Sequence, residues 1–287
     1  MSLSTKITES QERRELESKQ IKLIQKLINS NKKKSKIIIK TKSDINQIPF
    51  TERIDSFFDM TKSMIKKNYS RNNLKIWFET ISKNLFASTI SKDDIVQIAY
   101  DSESQIGFGF CNGLRKIGSC YFCVPEQDPQ YQIEKLQQNK PNTLISSSSM
   151  AIKIIEKIKE LKMDANKLSL KKGLFGIESF SEDIRINILL NSDISVFFFL
   201  GLPEIYNPGI AFECLCKNGL HINENLLYAE IIDPITDMNL EDGIKGELVL
   251  TTLSKMKFPL IRYKTKIMAS IEKNKCLCNR TTSRIIL

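Results

Sequence analysis

Apolar residues recur at three- and four-residue spacing over residues 72–86. Leu74, Trp77, Phe78, Ile81 and Leu85 fall on one face there, which predicts a helix. Residues 9–29 also read as a helix, with Leu16, Ile21, Leu23, Ile24, Leu27 and Ile28 grouped toward its second half. Residues 32–42 then look like a linker, or an edge strand around Ile37, Ile38 and Ile39. From residue 95 the pattern alternates. Short apolar runs at 95–99, 119–124, 143–146, 173–176 and 195–199 predict strands, and residues 127–138, 148–161 and 181–190 predict helices between them. Such alternation implies an α/β fold, a mainly parallel sheet flanked by helices on both faces. After Gly219 the helical signal stops. Residues 227–232, 247–252 and 260–263 read as strands joined by turns such as Asp233-Pro234-Ile235-Thr236-Asp237, which gives a small β-rich C-terminal subdomain. The expected organisation is an N-terminal helix and basic linker at 1–45, an α/β core at 46–218 and the β-rich subdomain at 219–287.

Composition narrows the function classes. The 287 residues carry a formal charge of +10, with 41% hydrophobic and 26% charged residues, as in an ordinary globular chain. The charge is spread along the chain. Only Lys32, Lys33, Lys34, Lys36, Lys40 and Lys42 cluster, without interleaved aromatics, so a solvated surface is favoured over nucleic-acid binding. No apolar run approaches the roughly 20 residues that span a bilayer. The polar, mixed-charge N-terminus does not read as a signal peptide, and the expected location is cytoplasmic. Glycine is distributed unevenly: all eleven lie at or after Gly107. A phosphate-cradling loop needs glycines so that backbone N–H groups can approach the anion, and the first 106 residues therefore hold no such loop.

The seven cysteines are Cys111, Cys120, Cys123, Cys214, Cys216, Cys276 and Cys278, an odd count that argues for thiols or metal ligands over a disulfide framework. His221, the sole histidine, lies seven residues after Cys214, and Cys276 and Cys278 are two apart. Three thiolates and one imidazole make a complete tetrahedral zinc set. Spacing alone leaves the alternative open, in which Cys214 is a small core residue and His221 a hydrogen-bonded loop residue. Cys216, two residues beyond Cys214, is a further candidate that could replace it.

The segment Asn207-Pro-Gly-Ile-Ala-Phe-Glu-Cys214, followed by Gly219-Leu-His-Ile222, resembles the phenylacetate–coenzyme A ligase family. The likeness continues through Leu227-Tyr-Ala-Glu-Ile-Ile-Asp-Pro234, Gly246-Glu-Leu-Val249, Pro259-Leu-Ile-Arg-Tyr-Lys-Thr265 and Cys276-Leu-Cys-Asn-Arg-Thr281. Upstream, Gly173-Leu-Phe-Gly-Ile-Glu178 is similar to the family's Gly-Ala-Glu loop, and Gly201-Leu-Pro-Glu204 to its Gly-Leu-Ser-Glu motif. The resemblance implies the large domain of an adenylate-forming enzyme. A small carboxylic acid attacks Mg-ATP to give an acyl adenylate and pyrophosphate, and coenzyme A then displaces AMP. It assigns Glu204 to the catalytic, magnesium or phosphate side, Gly176, Ile177, Glu178, Gly201, Leu202 and Thr265 to the nucleotide, and Cys214, His221, Cys276 and Cys278 to structural zinc. A homodimer is a further expectation.

This sequence also departs from the family pattern. Between Thr51 and Tyr69, where the family has a Ser/Thr/Gly-rich triphosphate loop, stands Asp59-Met-Thr-Lys-Ser-Met-Ile-Lys-Lys67. The ribose-holding acid falls at Ile267, and Phe198, Leu200 and Pro203 occupy positions expected to be Asp, Tyr and Ser. The family's mobile C-terminal lid domain is expected to be absent, or supplied by a separate chain. The expected function is an AMP-forming acid–coenzyme A ligase with impaired catalysis. The alternatives are a catalytically inactive relative, a pseudoenzyme that binds a ligand or partner, and a decayed gene product.

Overall fold

The computed structural model describes residues 13–30, 37–53, 62–177, 185–186, 188, 194–254 and 259–287. The basic cluster from Lys32 to Lys36, the glycine-free stretch at 54–61, Glu178 and most of the helix expected at 181–190 lie outside them. The chain divides into two compact units. One comprises residues 1–57, 66–74 and 218–287, and the other residues 58–65 and 75–217.

The second unit contains the parallel sheet. Its strands are β1 (Ile95–Ile98), β2 (Cys120–Cys123), β3 (Thr143–Ser147), β4 (Lys172–Gly176), β5 (Ser195–Leu200) and β6 (Ala211–Glu213), in the order β2-β1-β3-β4-β5-β6. All neighbours are parallel except β5 and β6. Strands buried on both faces need apolar residues at every position, which is why β5 carries Phe197, Phe198 and Phe199 in succession, all buried. Phe199 stacks on Phe212 of β6 and meets the edge of Phe110 with 5.1 Å between ring centroids.

Helices α4 (Gln105–Ile117), α5 (Pro129–Asn139) and α6 (Ser148–Glu160) connect these strands. Helices α5 and α6 and the strands at 95, 120, 143, 172 and 195 agree with the sequence pattern to within two residues. Helix α4 is an addition. Ser104 caps its start by accepting a hydrogen bond from the Gly107 amide, and Gly118 ends it in a left-handed conformation. Three glycines dilute its apolar periodicity. One of them is needed for contact, because a Cβ at Gly113 would lie 2.5 Å from Ile81 Cγ2. Ile81 belongs to α3 (Arg71–Ala87), whose predicted apolar residues Trp77, Ile81 and Leu85 are fully buried.

The first unit is built on antiparallel strands β7 (Leu220–Ile222), β8 (Leu227–Ile232), β9 (Gly246–Thr252), β10 (Tyr263–Glu272) and β11 (Arg284–Ile286), in the order β7-β11-β10-β9-β8. The sequence pattern places a strand at 260–263, whereas β10 begins at Tyr263 and runs to Glu272. A register irregularity between Lys264 and Met268 breaks its apolar alternation, with Lys266 at φ 60°.

Helix α1 (Arg13–Ser30) packs in the same unit, where Ile24, Leu27 and Ile28 join Ile39, Ile45, Ile48, Tyr228, Leu253 and Ile261 in one core. Residues 37–39 form no strand, so this segment resolves to the linker reading, with Ile39 buried. Polar contacts fix the helix in place. Arg13 forms an ion pair with Glu224 and donates to Ser283 Oγ, and Gln20 donates to the carbonyls of Glu224 and Leu227.

Arg262 anchors the loop before β10. Its guanidinium lies 3.9 Å from the Phe50 ring centroid and donates to Glu230, Asn239 and the carbonyls of Asn46 and Ile48. Burial raises the pKa of Glu230, and Arg262 opposes that shift. Replacing Arg262 by Ala leaves a buried carboxylate unpaired and is expected to cost about 3–5 kcal/mol in denaturant unfolding. A raised folded-state pKa means that protonation of Glu230 stabilises the fold below the ordinary carboxylate range and that this contribution fades as pH rises. The variant is therefore expected to lose more stability at pH 8 than at pH 5.

Candidate functional site

In an open α/β sheet, ligands bind at the carboxyl ends of the strands, where the strand order reverses. In the order β2-β1-β3-β4-β5 that reversal falls between β1 and β3. Tyr100 and Asp101 follow β1, Ser147 ends β3, and Gly176 and Ile177 close β4. The loop 201–210 follows β5. These residues gather at one edge of the second unit.

The hydroxyls at this edge are held. Ser147 Oγ caps α6 by accepting from the Met150 amide and donates to the Glu126 carboxylate at 2.6 Å. Ser148 Oγ donates to the Gly176 carbonyl at 2.6 Å, which fixes the end of β4 against the start of α6. A Cβ at Gly176 would come within 3.2 Å of the Tyr100 hydroxyl, so glycine there permits the phenol to cross the strand end. The Ile177 amide donates to the Phe199 carbonyl and extends the β4–β5 ladder by one bond. Sequence reading picked out Gly176 and Ile177 but missed Tyr100, Ser147 and Ser148. Their signal is topological, since it appears only when the strand order is known.

The loop after β5 carries Gly201, Leu202 and Glu204. Leu202 and Ile205 form an isolated bridge closed by the Ile205 amide on the Leu202 carbonyl, and Glu204 is buried at that turn. A Cβ at Gly201 would sit 2.0 Å from Asn207 Oδ1, so a side chain there would displace the buried Asn207 amide. The Trp77 indole N–H donates to the Pro208 carbonyl at 2.8 Å and ties the loop to α3. Phe198 is buried under the guanidinium of Arg185, which pairs with Glu213 at 2.5 Å.

In the first unit, Thr265 is fully buried. Its hydroxyl donates to the Leu248 carbonyl at 2.7 Å and accepts from the Ile267 amide at 3.2 Å. The same unit gathers three expected metal ligands. Cys276, Leu277 and Cys278 alternate inward, outward and inward, with Leu277 90% exposed and Cys276 buried. Asn279 turns the chain at φ 68° and donates to the Cys276 carbonyl. His221, on β7, places Nε2 3.4 Å from Cys278 Sγ, and its Nδ1 meets Thr282 Oγ1 at 2.9 Å. The ligand atoms of His221, Cys276 and Cys278 all lie within 4.8 Å of one another and make a candidate metal-holding group within the first unit. Cys214 is fully buried just past β6, whereas Cys216 is exposed. Burial and the nearby Arg280 guanidinium push the His221 pKa down to about 4, so the ring is neutral at physiological pH, as a metal ligand must be.

The ordered motifs and this geometry agree with what known proteins show. The chain is 32% identical over 200 residues to a phenylacetate–coenzyme A ligase of Aromatoleum evansii, a match covering 69% of this chain and 46% of that one. It is 30% identical over 201 residues to the Escherichia coli phenylacetate–coenzyme A ligase, with the same coverage, and 26% identical over 265 residues to the Thermus thermophilus one. The chain belongs to the phenylacetate–coenzyme A ligase family. It spans about half the length of these curated relatives, 46% of the first and 60% of the Thermus protein. No family model matches. Among solved structures, an open conformation of 2-hydroxyisobutyryl-CoA ligase in complex with 2-HIB-AMP and CoA superposes with a TM-score of 0.83 at 15% identity, covering 98% of this chain and 76% of that one. A benzoate CoA ligase from Burkholderia xenovorans LB400 gives 0.55 at 12% identity, covering 67% of this chain and 39% of that one. Both support the adenylate-forming ligase fold. Among the described residues, no helix is long and apolar enough to cross a membrane.

Trp77 is the sole tryptophan, so it reports on the loop after β5 to which it is hydrogen-bonded. Gly201→Ala is expected to displace Asn207, shift the Trp77 emission and lower stability by about 1–3 kcal/mol. Unchanged fluorescence and melting would show that the loop tolerates a Cβ.

Proposed function

We propose that this chain binds a small carboxylic acid and an adenine nucleotide as an AMP-forming acid–coenzyme A ligase of the phenylacetate type, with slowed adenylation. The ordered match to phenylacetate–coenzyme A ligases over 200 residues carries this reading. In the first step a carboxylate oxygen attacks the α-phosphorus of ATP while the bond to pyrophosphate breaks. In the second, the thiol of coenzyme A takes the acyl group and AMP leaves. Both partners of the first step are anions, and bound Mg²⁺ would offset their repulsion. Glu204 would hold that cation on the phosphate side. Gly176 and Ile177 would face the adenine, with Gly201 and Leu202 beneath the nucleotide. Thr265, which the family resemblance assigns to the nucleotide, is fully buried with its hydroxyl committed to the Leu248 carbonyl.

Slow adenylation follows from particular residues. Isoleucine at 267 cannot accept a hydrogen bond from a ribose hydroxyl, and no glycine precedes residue 107 to form a phosphate nest. These departures also favour a second reading, a protein that binds ligand without turnover. ATP–pyrophosphate exchange across a panel of aryl and short acyl acids separates the two. Weak, acid-dependent exchange that falls at least about tenfold in Glu204→Gln supports the ligase, a loss of roughly 1.4 kcal/mol or more in transition-state stabilisation. Nucleotide binding by calorimetry with no exchange supports the binding protein. Ile267→Asp is expected to tighten AMP binding about tenfold, one charge-assisted hydrogen bond's worth.

We further propose that Cys214, His221, Cys276 and Cys278 hold one structural zinc ion. By residue type the donor set is of the right chemistry and number, and Thr282 orients the imidazole ring of His221 by occupying Nδ1, which leaves Nε2 for the metal. The odd number of cysteines, seven, fits a cytoplasmic setting. Purified protein is expected to contain one equivalent of zinc. His221→Ala should lose it and lower the melting temperature, and acidification should release it as the ligands protonate. Zinc content unchanged in His221→Ala would reject this ligand set.

A further inference from the structure

Two cysteines outside the sites described above are in contact. Cys111 lies on α4 and Cys123 is the last residue of β2, and their sulfurs are 3.3 Å apart across twelve residues of chain. Both belong to the second unit. A disulfide bond is about 2.05 Å long, so closing this pair needs a shift of little more than an ångström, which a χ1 adjustment can supply. Cys111 is buried and Cys123 half-buried, so a small reagent reaches the pair through Cys123. Cys120, three residues earlier on the same strand, is exposed and supplies an internal reference.

We infer that Cys111 and Cys123 form a reversible dithiol–disulfide pair that exchanges with small-molecule disulfides and, when oxidised, ties α4 to the edge strand β2. In the first step the Cys123 thiolate attacks one sulfur of the small disulfide, forming a mixed disulfide and releasing one thiolate, which takes up the proton that Cys123 gave up. Cys111 then attacks the Cys123 sulfur, the mixed bond breaks, and a second small thiol leaves with the Cys111 proton. Two electrons pass from the protein dithiol to the small disulfide, which becomes two thiols.

The surroundings set the rate. Hydrogen bonding of the Cys123 S–H to Cys111, burial and the Asp101 carboxylate all hold the Cys123 proton well above the ordinary thiol range. Since only the thiolate attacks, exchange is slow at neutral pH and accelerates about tenfold per pH unit. Asp101 follows Tyr100 at the carboxyl end of β1, so the pair lies beside the strand ends that form the candidate site.

The test uses the full chain, reduced and then incubated with oxidised glutathione between pH 7 and pH 9. Acid quenching, alkylation and unreduced peptide mass mapping follow. The expected result is a Cys111–Cys123 cross-linked peptide that dithiothreitol reverses, with a yield rate rising about tenfold per pH unit. In Cys111→Ser, the mixed glutathione disulfide at Cys123 should persist instead of resolving. The proposal is overturned if native protein gives only glutathione adducts, at Cys120 or Cys123, or if Cys123 pairs with another cysteine. Should Cys111→Ser fail to fold, the mapping of the native chain decides the question alone.

Discussion

The parallel ladder of β1, β3, β4 and β5 is the constraint on which the second unit depends. Every strand in it points the same way, so every connection must return over a face of the sheet, and every strand delivers its next residues to the same edge. Burial on both faces demands apolar side chains along the strands, and Leu144, Ile145, Leu174, Phe175 and the three phenylalanines of β5 meet that demand. Polar and small residues gather at the strand ends, where Tyr100, Ser147, Ser148, Gly176 and Gly201 lie, and a buried polar side chain within a strand needs a partner, as Gln97 of β1 has in Gln132 of α5.

Much of that ladder was legible because fully buried strands are short, continuous apolar runs bounded by breakers. The antiparallel strand β10 was legible only at its first residue. Its apolar positions Tyr263, Thr265, Ala269 and Ile271 lie on the buried face, but the irregularity around Lys266 shifts their phase, and period-two reading fails across it. Helix α4 went unseen for a different reason. Its glycines lower helix propensity, and their purpose, close approach to Ile81, belongs to tertiary packing. The docking of α1 depends on Arg13 and Gln20 reaching partners more than two hundred residues away, which no local window contains.

The candidate metal residues behaved differently. Their residue types announce a chemistry, so Cys276, Cys278 and His221 could be named without knowing the fold. Structure adds the orientation: Thr282 at Nδ1, Nε2 toward Cys278, and a left-handed turn at Asn279. Asparagine is among the few non-glycine residues that accept that conformation readily, so it suits the turn.

The departures around the nucleotide positions have a different physical character. Phe198 and Leu200 replace expected polar residues, yet neither leaves a poorly packed or half-wet side chain. Phe198 lies flat beneath Arg185, which is itself fixed by Glu213 and the Val196 carbonyl, while Glu213 also accepts from the Phe198 amide. An apolar ring, a guanidinium and a carboxylate thus form a closed set in which each polar atom is matched within the core. On the proposed reading, substitutions of this kind would remove groups facing a nucleotide while adding buried apolar area, so affinity at the strand ends would fall without a loss of strand stability. Ile267 fits the same pattern, since its amide is held by Thr265 whatever side chain it carries. Folding and nucleotide handling would then rest on separable groups, and the scaffold would leave the rate of the chemistry to the few residues at its edge.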